Sequence, residues 1–161
     1  MEVRIEPYRA ECCEDVVALS LRAWEPVLGD LRDELPAGLY DHFYPDGWQV
    51  AQEAAVRETL ANAEMHTWVA MLDGVAAGFA SLRMLPEDRM GELYMIATDP
   101  AAQRRGVASA LIEFSQAWMK QQGAVYALIR TGNDSGHAPA RATYERMGYE
   151  LSLAARYFKK L

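Results

Sequence analysis

Residues 103–109, Gln-Arg-Arg-Gly-Val-Ala-Ser, place a glycine and two guanidinium groups at the start of an amphipathic run. A helix N-terminus leaves its first backbone N–H groups unpaired and carries partial positive charge. It receives an anion when no bulky side chain stands in the way. Gly106 lets an anion approach the backbone, and Val107, Ala108 and Ser109 offer amides along the first turn. Gln103, Arg104 and Arg105 add polar and cationic arms. The chemistry is anion binding, and the natural anion is a phosphate. A Walker loop is excluded because no Gly-Lys-Ser/Thr follows. A dinucleotide fingerprint needs three spaced glycines, and only Gly106 is present here. Taken alone, the stretch also reads as a plain helix start with two solvated arginines, so its surroundings decide.

Those surroundings alternate between two periods. "VRIEPYR" (3–9) reads as a first strand, and 12–28 as a helix with Val16, Val17, Leu21, Trp24 and Leu28 near helical spacing, kinked or ended by Pro26. Residues 29–47 are rich in turn formers and aromatics and predict a loop with a short helical turn. A second helix covers 48–63. "HTWVAML" (66–72) and "VAAGFASLRML" (75–85) flank Asp73-Gly74, a hairpin signal. "GELYMIAT" (91–98) is a fourth strand, stopped by Asp99-Pro100. A helix over 106–123 carries a stripe of Val107, Ala110, Leu111, Phe114 and Trp118, with Gly123 as C-cap. A fifth strand (124–132), a short helix (138–148) and one or two closing strands (149–161) follow. The order β-α-α-β-β-β-α-β-α-β(-β) predicts an α/β fold within a single domain, 1–161. Its sheet is mixed and largely antiparallel, with six to seven strands and helices on both faces.

Composition sets the limits. The 161 residues are 51% hydrophobic and 24% charged, as in an ordinary globular chain, and no apolar run approaches a membrane span. The opening "MEVRIEPYRAE" has no apolar h-region, so the expected location is cytoplasmic. A net charge of −7 argues against nucleic acid or an anionic lipid surface and suits an amine-bearing partner. Cys12 and Cys13 are adjacent and cannot staple distant segments. His42, His66 and His137 lack metal-ligand spacing, so no metal is expected. No Gly-x-Ser-x-Gly motif supports a serine hydrolase.

With these elements in place, the chain resembles the GCN5-related N-acetyltransferases (GNAT). Gln103, Arg104, Arg105, Gly106, Val107 and Ala108 match the superfamily's Gln/Arg-x-x-Gly-x-Gly/Ala signature. "APARATYERMGYE" is similar to its Ala-x-x-x-Tyr-Glu-(Lys/Arg)-x-Gly-(Phe/Tyr) segment. The resemblance covers nearly the whole chain and is weakest over 29–65. It implies that the anion is the pyrophosphate of acetyl-CoA, held by backbone amides from Arg104 to Ser109. It also implies that Met95, Ile96, Ala97 and Thr98 pair their exposed backbone with pantetheine as an added strand does, and that the fifth strand splays from the fourth. Asn133, just beyond the fifth strand, is a cofactor contact in this view. The family's asparagine seven residues before the tyrosine is replaced here by His137, which either contacts cofactor or caps the short helix.

Acetyl transfer to an amine needs a neutral nucleophile, a polarised carbonyl, a held oxyanion and a protonated leaving thiolate. By resemblance the backbone N–H near Ile96 holds the oxyanion and Tyr144 protonates the sulfur. A thiol pKa of about 8.5 and a phenol pKa of about 10 lie close enough for transfer. Glu92 is the candidate base. Strand alternation puts Glu92, Tyr94 and Ile96 on one face, where partial burial would raise a carboxyl's pKa. Many family members use ordered water in its place. Among the aromatics and carboxylates of 29–48, Tyr40 and His42 are candidate acceptor contacts. The expected acceptor is a primary amine on a small molecule or a peptide, and the family's habit implies a homodimer. The alternative is a non-catalytic acyl-CoA-binding sensor or assembly module. It would share the phosphate loop and need neither Tyr144 nor Glu92.

Overall fold

The computed structural model describes residues 2–161; Met1, the first residue of the expected 1–161 unit, lies outside the described residues. Strand β1 (Arg4–Pro7) leads into α1 (Cys13–Leu28), two short helices α2 (Leu31–Glu34) and α3 (Leu39–Phe43), and α4 (Trp48–Ala61). Then come β2 (His66–Leu72), β3 (Val75–Leu85), β4 (Met90–Thr98), α5 (Val107–Gln121), β5 (Tyr126–Ile129) and α6 (Ala138–Arg146). The β2–β3 hairpin has the expected boundaries. Asp73 and Gly74 take φ of 53° and 81°, the two left-handed residues that a two-residue turn between twisted strands requires.

The strands lie in the order β1-β2-β3-β4-β5, antiparallel except for the β4–β5 pair. A parallel pair needs a crossover, and α5 supplies it. On one face α1 and α4 bring Val16, Leu19 and Val56 onto Val69, Phe79 and Ala97. On the other, α5 brings Leu111, Ile112 and Met119 onto Ala80, Leu82 and Leu93. Fully burying each such aliphatic side chain stabilises the fold by roughly 1.5–3 kcal/mol. Gly78 lets α5 come this close, because a Cβ there would lie 2.9 Å from Val107 Cγ1 and 2.7 Å from Ala97 O.

Four expectations are corrected. Pro26 does not end α1. The helix runs on to Leu28, which is buried against Tyr40 and Trp48, so its last turn is held by packing. The 29–47 segment holds two short helices, and its aromatics build that third cluster. The alternation expected along β4 breaks at Tyr94. Leu82 pairs with Leu93 and Ser81 with Met95, so Tyr94 is an extra residue, a β-bulge. Leu93 and Ile96 therefore share the α5 face, while Met95 and Ala97 pack on the α1 face. Ile96 thus lies opposite Glu92.

The fourth correction concerns strand number, which among the described residues is five and not six to seven. Residues 149–161 form no regular secondary structure. Tyr149 packs into the core, but 150–161 are exposed, with Leu151, Leu153 and Tyr157 open to solvent. Alternating apolar residues make a strand only when a neighbouring edge hydrogen-bonds to them, and this segment pairs with none. Among the described residues no helix is long and apolar enough to cross a membrane.

Candidate functional site

Three features meet where β4 and β5 part. The first is the loop from β4 to α5. Asp99 caps the turn after β4 by accepting from the Ala101 N–H at 3.0 Å, and it pairs with Arg22 of α1. Arg22 is the main cause holding the Asp99 carboxyl below its ordinary range; burial opposes this and the Ala101 N–H assists. The chain then takes left-handed conformations at Arg104 (φ 60°) and Gly106 (φ 82°) and enters α5 with no side chain capping its N-terminus. A Cβ on Gly106 would meet nothing within 4 Å, so no neighbouring element crowds the entry to α5. Gln103, Arg104 and Arg105 are exposed around them, and Arg105 is tied to Asp73 at 2.9 Å. Ala108 and Ser109 are half-buried in the first turn and Val107 is buried. Open amides, left-handed backbone and flanking cations fit a bound diphosphate.

The second feature is the splay. β4 and β5 pair from Met90–Tyr126 to Leu93–Ile129 and no further, so pairing stops at the residue before the bulge. A bulge bends its strand and increases local twist. Beyond it, Met95, Ile96, Ala97 and Thr98 pair with β3 on one side only. Their other edge is an unsatisfied row of backbone groups, able to receive an extended amide-bearing chain.

The third feature is the apex of the splay. On the α5 face it is filled by apolar side chains: Leu93, Ile96, Ile129 and Tyr149 pack in one cluster with Tyr144. Burial, with a smaller contribution from Tyr149, pushes the Tyr144 phenol up to about 12. The two rings meet edge-on at 6.2 Å. Burial raises Tyr149 too, and the Gln116 amide works against it. That amide's hydrogen bond goes to Met147 O at 3.2 Å, and among the described residues the buried Tyr149 hydroxyl has no hydrogen-bond partner.

On the opposite face of the apex stands Glu92, 2% exposed, with both oxygens occupied. Arg83 Nε donates to Oε2 at 2.6 Å and Arg130 Nη1 donates to Oε1 at 2.6 Å. The Arg83 guanidinium also lies over the Tyr94 ring, 4.9 Å from its centroid. Sequence reasoning missed both arginines. The signal available was a cation within each of two apolar strands, at "SLRML" and "ALIR", and only the β3–β4 and β4–β5 registers bring them to one carboxylate.

The remaining candidates fall in two places. Asn133 is exposed in the loop after β5. Asp134 in that loop accepts from the His137 ring at 2.7 Å and from the His137 N–H at 3.1 Å. Burial would raise the Asp134 carboxyl, but these contacts outweigh it and the net shift is downward. His137 occupies the residue before α6, and its side chain does not cap the helix. Arg141 ties α6 to the same loop through Gly132 O and Asp134 O. Glu34 of α2 accepts from the Ser135 N–H and hydroxyl, and Gly136 abuts Val27 of α1. The α1–α2 corner thus rests on the loop that continues β5. Tyr40 is 7% exposed and its hydroxyl donates to Leu28 O, so it serves the packing of that corner. His42 is exposed on α3 beside Phe43. Among the described residues no group of three or more His, Cys, Asp or Glu is placed to hold a metal ion.

Solved structures share this fold. The ribosomal-protein-S18-alanine N-acetyltransferase of Escherichia coli superposes with a TM-score of 0.67 at 18% identity, over 94% of this chain and 80% of that one. The PaiA N-acetyltransferase of Thermoplasma acidophilum, in complex with coenzyme A, gives 0.68 at 14% identity over 94% and 92%. The aminoglycoside N-acetyltransferase AAC(6′)-Iy, in complex with CoA, gives 0.63 at 21% identity over 99% and 95%. These identities carry the fold alone. No curated protein is similar enough to count as a match. The profile of the acetyltransferase (GNAT) family matches residues 33–149, which span β2–β4, the 103–109 loop and Tyr144, and the chain belongs to that family.

Proposed function

We propose that this chain transfers the acetyl group of acetyl-CoA to a primary amine, with both reactants bound together. The observation that carries this is the continuity of one surface. The single-sided edge of β4 from Met95 to Thr98 is followed, across the 99–106 turn, by the uncapped N-terminus of α5. An extended amide chain ending in a diphosphate matches that surface along its length. Structural neighbours in complex with coenzyme A support the reading. Arg104 to Ser109 hold the diphosphate, with Gln103 beside them, and Asn133 and His137 approach from the loop after β5. When bound, acetyl-CoA supplies an activated acyl group as a thioester.

The residues divide the remaining work by face. The Ile96 N–H lies at the open edge as the oxyanion donor, a role worth about 3–4 kcal/mol. Tyr144, on the α5 face, donates to the leaving sulfur. A phenol at about 12 keeps its proton through neutral pH, so it stabilises the thiolate chiefly by hydrogen bonding. The α5 face is filled, so the amine arrives from the face of Glu92, Arg83 and Tyr94. Glu92 accepts from the amine once one of its guanidinium partners moves off, and Arg130, 63% exposed, is the partner free to move. His42, exposed on α3, is kept as a candidate acceptor contact.

Isothermal calorimetry with coenzyme A, followed by acetyl transfer to an amine panel, tests the reading. Binding and turnover are expected, and no heat from a natively folded sample overturns it. The occupied oxygens of Glu92 favour a second reading, a non-catalytic acyl-CoA-binding module. Binding without turnover on any amine would select that reading.

A further inference from the structure

The apex is locally cationic. Overall the chain is at −7, yet on the acceptor face of the splay two guanidinium groups meet one carboxylate. Two carboxylates of the neighbouring loop and corner are engaged elsewhere: Asp134 is on His137 and Glu34 on Ser135. Glu58, which shares a shallow recess with Tyr94, is exposed and screened by water. Arg130 is the first residue past the β4–β5 pairing, and it uses a single nitrogen, Nη1, on Glu92. Its other donors have no partner among the described residues. Arg83 likewise uses Nε on Glu92 and lays its plane on Tyr94. A planar fork with spare donors, anchored through a buried carboxylate, is built to take a second carboxylate bidentately.

We infer that Arg130, backed by Arg83, forms a carboxylate-reading acceptor subsite, so that the amine acetylated belongs to a molecule that also carries a carboxylate, as an amino acid does. The inference rests on the acetyl-transfer reading for its amine and on the Arg83–Glu92–Arg130 geometry for its carboxylate. A polycation is disfavoured at this apex, since the one buried carboxylate there offers it no open oxygen. The acceptor's carboxylate takes the spare Nε and Nη2 of Arg130, and the pull of that second anion loosens the Nη1 bond to Oε1 of Glu92 beside the incoming amine. The substrate's acid group then opens the acceptor position for its own amine.

The experiment compares amino acids of small, apolar, aromatic and basic side chains with their matching amides, using acetyl-CoA and the full chain. The carboxylate forms are expected to exceed the amides in kcat/KM by about ten- to a hundredfold, the range of one charged hydrogen-bonded contact. In Arg130→Gln the ratio falls to about one. Arg130→Lys keeps a charge on Glu92 but loses the fork, and it lowers the ratio as well, which guards against a misfolded glutamine variant. If no amine turns over, calorimetry of N-acetylated amino acids against their amides on the CoA-loaded chain reads the same preference. Equal values for acid and amide, a preference for amides or polycations, or a ratio unmoved by both variants overturns the subsite. No heat with coenzyme A overturns the acetyl-transfer reading instead, so the two failures are distinct.

Discussion

Gly78 of β3 lies against Val107 at the start of α5 so tightly that a Cβ on the glycine would stand 2.9 Å from Val107 Cγ1. The anion loop is therefore seated by a missing side chain on a neighbouring strand. Gly78→Ala is expected to cost about 1–3 kcal/mol through overpacking and to weaken coenzyme A binding by moving the helix start. Urea unfolding and calorimetry on the same sample check both, and unchanged values in each would refute the seating.

At Gly106 the expectation is the reverse in balance. Its φ of 82° strains any other residue, but an added Cβ meets nothing within 4 Å. Gly106→Val should cost about 1–2 kcal/mol in conformation while placing a branched group over the open amides. Coenzyme A affinity falls far more than stability does. A variant that binds as tightly as the parent would mean that those amides do not hold the ligand.

The Arg22–Asp99 pair sets part of the acid limb of stability. The Asp99 carboxyl is depressed in the folded chain, so the unfolded state binds the proton more readily. The contribution is present above the unfolded carboxylate pKa of about 3.9 and is lost as pH falls through the folded value. Asp99→Asn should lower unfolding free energy at pH 7 by about 1 kcal/mol, and the difference should close in acid. A gap that stays constant from pH 7 to pH 2 would show that the pair's charge does not matter.

Tyr144→Phe is expected to lower kcat by about a hundredfold with coenzyme A affinity retained. The raised phenol also stabilises the fold below its unfolded pKa of about 10, and this is lost as pH rises towards 12. The variant should therefore show a flatter alkaline loss of Tm. Unchanged turnover would remove the hydroxyl from the chemistry, whatever the alkaline limb does.

Most of the frame was legible because its signals are local. The Asp73-Gly74 turn, the stripe on α5 and the 103–108 loop each declare themselves within a few residues. The apex was not legible, because it is made by register. Alternation read along β4 cannot reveal that Tyr94 is one residue too many, since the partner strand defines the excess. Arg83 and Arg130 look like ordinary strand cations until both registers place them on Glu92. Residues 149–161 show the converse: their pattern is that of a strand, and strand formation depends on an edge that the segment does not engage.

The bulge amounts to one inserted residue in β4. Tyr94 and Met95 occupy a single step of the pleat, so a chain shortened by Tyr94 alone would keep Leu93, Ile96 and Ala97 in the layers they occupy now. Deletion of Tyr94 is expected to straighten β4 and narrow the gap beside β5, read as lost coenzyme A binding with a retained unfolding transition.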